Sequence, residues 1–269
     1  MNPTAAPSPA DPAPAEPTPA DPAPAEPTPA ELAALLGAVR ADAGRLCDAL
    51  GDLTDRQARE ASALPGWSRA HVITHVARSA DAYRRLLALA RTGTAPGPRP
   101  DRGAPDRALR EGAERDAAEL VADLRRSLDG LSDEAATVPA ERWTAPVRAL
   151  AGWWHPAWFT LHRARRELQT HHVDLALGRT TADWPTDYVA WALDTTVATL
   201  AARDFPVARL EATDLGRSWT PAATGATVSA PGHVLLAWLA GRGPAPDSHA
   251  GRTLPTPPVW PLPPVPGWG

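Results

Sequence analysis

The sequence predicts a mainly α protein: an up-and-down four-helix bundle followed by a small α+β domain. Three observations lead there. Apolar residues recur at helical spacing over four long stretches. Short runs of β-type residues appear only in the last quarter of the ordered chain, at 209–213 and 226–229. Proline-rich segments with no capacity to build a core bracket both units. The expected division is a Pro/Ala tail at 1–28, a bundle at 29–182, the α+β unit at 183–254 and a proline-rich tail at 255–269.

Residues 1–28 contain the decapeptide Pro-Ala-Asp-Pro-Ala-Pro-Ala-Glu-Pro-Thr twice, at 9–18 and 19–28. Proline removes backbone donors and nothing here can pack, so the tail is expected to be extended and disordered. Order begins at Thr28. With Glu31 three residues on and Pro29 at the first helical position, Thr28 signs a capping box. Leu32, Leu35, Leu36, Val39, Leu46 and Leu50 then form one helical stripe, which includes the single cysteine, Cys47, as a small packing group. Leu64-Pro65-Gly66 is a turn. A second helix follows with Ser68 as N-cap and Val72, Val76, Tyr83, Leu87 and Ala90 inward.

A Gly/Pro-rich loop over 92–104 leads to a third helix expected at 106–131, and residues 139–154 read as irregular. The fourth helix is expected over 156–177, started by Pro156 and ended by Gly178. Alternating direction would make the second and fourth helices run the same way. A helix over 188–202, two short strands and a helix over 232–241 complete the α+β unit.

Composition excludes several classes. The chain has 269 residues and a net charge of −4, a poor balance for a nucleic-acid binder. All 27 basic residues are arginine, as in a GC-rich coding sequence. One cysteine permits no intramolecular disulfide. No secretory signal and no apolar run of membrane-spanning length is seen, so a cytoplasmic protein with no membrane partner is expected, as a monomer.

The chemistry concentrates in Arg166-Glu167-Leu168-Gln169-Thr170-His171-His172-Val173-Asp174. Glu167 and His171 are four residues apart and leave one face of a helix a turn apart. Zinc accepts both atom types, and a third donor must come from another helix. His75 is the best candidate by its place beside Val72 and Val76; His71, one turn earlier, rivals it. His172 points about 100° away from His171 and cannot replace it. Asp174 lies on the same stripe, either orienting His171 through its second ring nitrogen or as a plain helix-face carboxylate. Arg166 is expected to pair with Glu167, and His155, His162, His233 and His249 to be structural or at the surface.

Two segments carry a resemblance: Leu64-Pro65-Gly66-Trp67-Ser68 with His75-Val76-Ala77-Arg78-Ser79-Ala80-Asp81-Ala82, and Arg166-Glu167 with His171-His172-Val173-Asp174-Leu175. Together they resemble the mycothiol-dependent maleylpyruvate isomerases over about 29–254. The resemblance implies a four-helix bundle of the DinB-like kind with a zinc held by His75, Glu167 and His171, which decides between His75 and His71. It also implies mycothiol as thiol cofactor, an actinobacterial source, and a role in aromatic degradation. The implied reaction converts maleylpyruvate to fumarylpyruvate: a zinc-bound thiolate adds to the cis double bond, the bond rotates, and the thiol leaves. Arg242 matches a family arginine of the last helix and would clamp a substrate carboxylate. The tails depart from the family pattern. Other readings of the same residues are a mycothiol S-transferase acting on another electrophile, a non-catalytic metal-binding bundle, and a zinc hydrolase.

Overall fold

The structure, a computed structural model, describes residues 25–97, 103–150, 152–248 and 253–258. The disorder expected for residues 1–24, most of the C-terminal tail, part of the 92–104 loop and His249 lie outside the described residues.

Helix α1 (Pro29–Ala49) starts at the expected capping box: the Thr28 hydroxyl accepts from the Glu31 amide, and the Glu31 carboxylate accepts from the Thr28 amide. A one-turn helix α2 (Asp55–Arg59), not anticipated, is capped the same way by Thr54 and Gln57. Helix α3 (Arg69–Thr92) is capped by Ser68 as expected. The glutamate position of that capping box is filled by His71, whose Nδ1 lies 2.7 Å from the Ser68 hydroxyl.

The expected third helix is two: α4 (Ala104–Ala113) and α5 (Ala117–Thr137). The break falls where the Asp116 carboxylate accepts from the Glu119 amide and starts α5 afresh. Gly112 brings α4 against α3 so closely that a Cβ there would collide with the Thr74 side chain. The irregular stretch holds a small hairpin, β1 (Pro146–Arg148) with β2 (Trp154–Pro156). Pro156 therefore ends a strand and starts no helix. Helix α6 (Phe159–Asp174) begins three residues later and finishes before Gly178.

Helices α1, α3, α5 and α6 close into a bundle in which α3 packs on α5 and α6, and α1 packs on α6 and α5. From α3 through α4, α5 and α6 the helices alternate in direction, so α3 and α5 run parallel, with Arg78 on Asp123 and Arg91 on Glu134. Because α4 adds one reversal, α3 and α6 run antiparallel, against the expectation that they run the same way. At one end Arg69 donates to the carbonyl of Leu175, and further along α3 the Tyr83 hydroxyl reaches Glu167. The buried face extends from Leu35 to Leu175 and includes Val72, Ile73, Leu87, Leu120, Leu124, Leu131, Leu161 and Leu168. Cys47 packs against it, half-buried.

The second unit starts with α7 (Thr186–Ala201). Its sheet has the order β4 (Arg217–Trp219), β3 (Val207–Ala212), β5 (Ala226–Ala230), antiparallel on the β4 side and parallel on the β5 side. Strand β4 was not anticipated: it is three residues long and has no fully buried position, so it lacks an alternating signature. Helix α8 (Gly232–Leu239) covers the sheet, and this unit has its own core around Tyr188, Leu193, Val207, Leu210, Val228 and Leu235.

Helix α6 is shared between the units. From its centre, Arg165 donates to Asp42 of α1 at 3.1 Å and to both carboxylate oxygens of Asp187 of α7 at 2.7 and 3.0 Å. The Trp184 indole donates to the Gln169 carbonyl at 3.0 Å. No helix among the described residues is long and apolar enough to cross a membrane.

Candidate metal centre

Two stripes face each other across α3 and α6. On α3, His75, Ser79 and Tyr83 follow at four-residue steps; on α6, Arg163, Glu167 and His171 do the same. The Glu167 carboxylate sits where they meet. His75 Nε2 lies 3.0 Å from Glu167 Oε2, and His171 Nε2 lies 3.3 Å from the same oxygen. The Tyr83 and Ser79 hydroxyls donate to Glu167 from 3.3 Å each. The His75 and His171 rings meet edge to face at 4.7 Å, with Trp67 5.4 Å behind His75.

One nitrogen or oxygen from each of His75, Glu167 and His171 lies within 4.8 Å of the other two. Donor atoms about 2.0–2.1 Å from a tetrahedral zinc stand about 3.3 Å apart, so the separations of 3.0 and 3.3 Å suit a cation between them. Two neutral imidazoles and one carboxylate are a known zinc donor set, and three protein ligands is the count of a catalytic site. The group sits deep yet open. Protein surrounds Glu167 almost completely, but 25% of its side-chain surface and 35% of that of His75 still reach solvent.

His71 takes no part. Its Nδ1 is occupied at the Ser68 cap, so the choice between the two α3 histidines, open on spacing, follows from the helix start. His172, buried at 7% exposure, turns to the other side of α6, and burial pushes its pKa down to about 4. Arg166, expected beside Glu167 as its ion-pair partner, lies with its guanidinium 4.8 Å from the centre of the Trp191 ring.

Asp174 is buried, and its Oδ2 lies 2.9 Å from His171 Nδ1. A proton on Nδ1 leaves the Nε2 lone pair directed toward Glu167, which is the tautomer a metal ligand needs. Arg242, just past α8, grips Asp174 from the other side: Nη2 donates to Oδ2 at 2.8 Å and Nε to Oδ1 at 3.2 Å. Its Nη1 donates to the Ala240 carbonyl at 2.8 Å.

The electrostatics are those of a strongly coupled cluster. Burial alone would raise the Glu167 pKa, but the hydrogen bonds of His171 and His75 hold it well below the usual carboxylate range. Burial likewise opposes the charge of Asp174, and His171 and Arg242 overcome it. Burial also disfavours protonated His171, yet Asp174 and Glu167 outweigh it and lift its pKa to about 9. The cluster between α3 and α6 thus favours positive charge, whether a proton or a cation.

Spacing along the helices carried a signal for three participants not read from the sequence. Arg163 lies one turn before Glu167, and Ser79 and Tyr83 lie one and two turns after His75. Tyr83 reads as an apolar stripe residue because its ring is buried and only its hydroxyl reaches the site.

Fold and site together define a helical bundle with a group of three side chains, His75, Glu167 and His171, that could hold a metal ion, linked by α6 to an α+β unit. Residues 39–176, just over half of the chain, match the family model of the mycothiol maleylpyruvate isomerase N-terminal domain, and the chain belongs to that family. Among solved structures, the fold resembles that of a mycothiol-dependent maleylpyruvate isomerase and of a mutant of it in which a histidine is replaced by alanine. Each is 24% identical with a TM-score of 0.77, and the match covers 85% of this chain and 97% of the other. No curated protein matches the chain.

Proposed function

We propose that this chain is a mycothiol-dependent isomerase that converts maleylpyruvate to fumarylpyruvate, using a zinc ion held by His75, Glu167 and His171. The observation that carries the reading is the meeting of two imidazole nitrogens on one Glu167 oxygen, in a chain of this family. Zinc, when bound, supplies a position at which a thiol loses its proton and becomes a nucleophile.

The residues of the chain divide the remaining work. His75 and His171 give one nitrogen each and Glu167 its carboxylate. Tyr83 and Ser79 hold that carboxylate in place from α3. Asp174 fixes the tautomer and ring plane of His171. Arg242 serves the site by holding Asp174, so its function in this reading is to position a metal ligand and to tie the α+β unit to the bundle. Trp67 packs its ring edge to face against His75.

The test is turnover of maleylpyruvate by the zinc-loaded protein, with mycothiol present and absent. The reading expects fumarylpyruvate only when mycothiol is present. Isomerisation at the same rate without thiol, or none with it, contradicts the reading. Transfer of mycothiol to a different electrophile would redirect it to the transferase.

A further inference from the structure

One turn ahead of Glu167 on α6, Arg163 is held in an unusual way. Its guanidinium lies 4.9 Å from the centre of the Tyr83 ring and 4.8 Å from that of Trp153, so two aromatic faces fix it. Its Nη1 lies 3.1 Å from His155 Nε2. His155 is a neutral acceptor for that bond: its Nδ1 lies 2.9 Å from the Pro156 carbonyl, and burial lowers its pKa to about 4. The other nitrogens of Arg163 meet no protein acceptor and no carboxylate among the described residues, and none of them is a buried orphan. An arginine fixed on its faces and one edge, with its other edge open, is preorganised to bind an oxyanion.

The surrounding charges point the same way. The nearby carboxylates are engaged elsewhere: Glu167 faces His75 and His171, and Asp174 faces His171 and Arg242. Arg166 stands on the same side, over Trp191, and is close enough to Arg163 that the two repel each other. Two guanidiniums therefore flank the helical turn that leads into the metal centre, about 6 Å along the axis from Glu167 for Arg163.

We propose that Arg163, supported by Arg166, is the anion-holding wall of this site and takes a carboxylate of a small dicarboxylate substrate. The inference rests on reading the His75–Glu167–His171 group as the place where substrate is processed. It assigns substrate binding to the start of α6, away from Arg242 at its far end. His155 is then a positioning residue for Arg163.

Maleate, a cis-dicarboxylate with no reaction to undergo without thiol, is the probe. The zinc-loaded wild-type protein is treated with butanedione with and without maleate, and each arginine is followed by peptide mass spectrometry. The expected result is that maleate slows modification of Arg163 several-fold, that its neutral diamide does not, and that Arg217, paired with Asp194 on the outer unit, is indifferent. By calorimetry, Arg163→Gln should weaken maleate binding about tenfold or more, with Arg163→Lys between. Equal modification of Arg163 with and without maleate overturns the proposal, as does undiminished maleate affinity in a folded Arg163→Gln. If that variant does not fold, the wild-type protection experiment decides alone. Thiol is absent throughout, so protection without mycothiol-dependent turnover keeps the wall and removes the reaction, and turnover without protection does the reverse.

Discussion

Arg242 and Asp174 form a two-pronged ion pair, with nitrogen–oxygen distances of 2.8 and 3.2 Å between residues 68 positions apart in the chain. Asp174 contacts His171 with one of the same oxygens. An arginine of the α+β unit thus reaches His171, a proposed metal ligand of the bundle, through one carboxylate. Asp174→Asn keeps the shape but removes the charge that both neighbours use. It should lower zinc affinity by about 10–100-fold, the usual cost of losing a partner of a ligating histidine. Arg242→Met should weaken zinc in the same direction, and Arg242→Lys should recover part of the loss. Competition with a chromophoric chelator checks this. Unchanged zinc affinity in Asp174→Asn would show that the carboxylate does not act on His171.

The ion pair of Arg165 with Asp42 is buried inside the bundle, and Arg165 also reaches the exposed Asp187 of the second unit. Asp42 has only 1% of its side chain exposed, and Arg165 only 8%. Arg165→Met leaves Asp42 with Arg45 alone and frees Asp187 from α6. A loss on the order of 3 kcal/mol is expected in urea unfolding. The double variant Asp42→Leu with Arg165→Met should lose less than the sum of the singles, since no buried charge is then stranded. Strict additivity would count against a coupled pair.

Three histidines give the fold an acid limit above that of its carboxylates. Burial lowers His155 and His172 from their ordinary 6.5 to about 4, and burial with the nearby Arg166 and Arg165 lowers His162 to about 3. Between about 4 and 6.5 the unfolded chain binds more protons than the native one. Stability therefore rises with pH across that window and falls as pH drops below 6.5. Thermal melts should show a progressive fall in Tm from pH 6.5 to 4.5, and His162→Gln should flatten it. A Tm level over that range would mean that His155, His162 and His172 are not held neutral.

Much of this arrangement is legible in the chain. Thr28 and Ser68 announce their helices because a capping side chain acts within three residues, and such local bonds survive any tertiary context. Glu167 and His171 share a face for the same reason. His75 lies 92 residues from Glu167, so no periodicity could pair them; its place on a second apolar helix stripe made it a candidate, resemblance decided for it over His71, and the structure brings it to 3.0 Å from Glu167. The split of α4 from α5 was missed because the apolar stripe runs through it, and the evidence for a break lies in Asp116 as a cap and Gly112 as a contact with Thr74. That one omission reversed the expected direction of α6 relative to α3. Arg163 was passed over because an arginine on a helix face is ordinary; only the placement of Trp153, Tyr83 and His155 around it sets it apart. Arg242 was singled out, but its partner Asp174 could not be foreseen from residues so distant.

The most direct test of the account is the zinc content of the purified wild type beside Glu167→Ala and His171→Ala, measured by elemental mass spectrometry with folding checked by circular dichroism. The account predicts close to one zinc per wild-type chain and a loss of nearly all of it in both folded variants. Zinc retained at the wild-type level in either folded variant would contradict a centre shared by His75, Glu167 and His171.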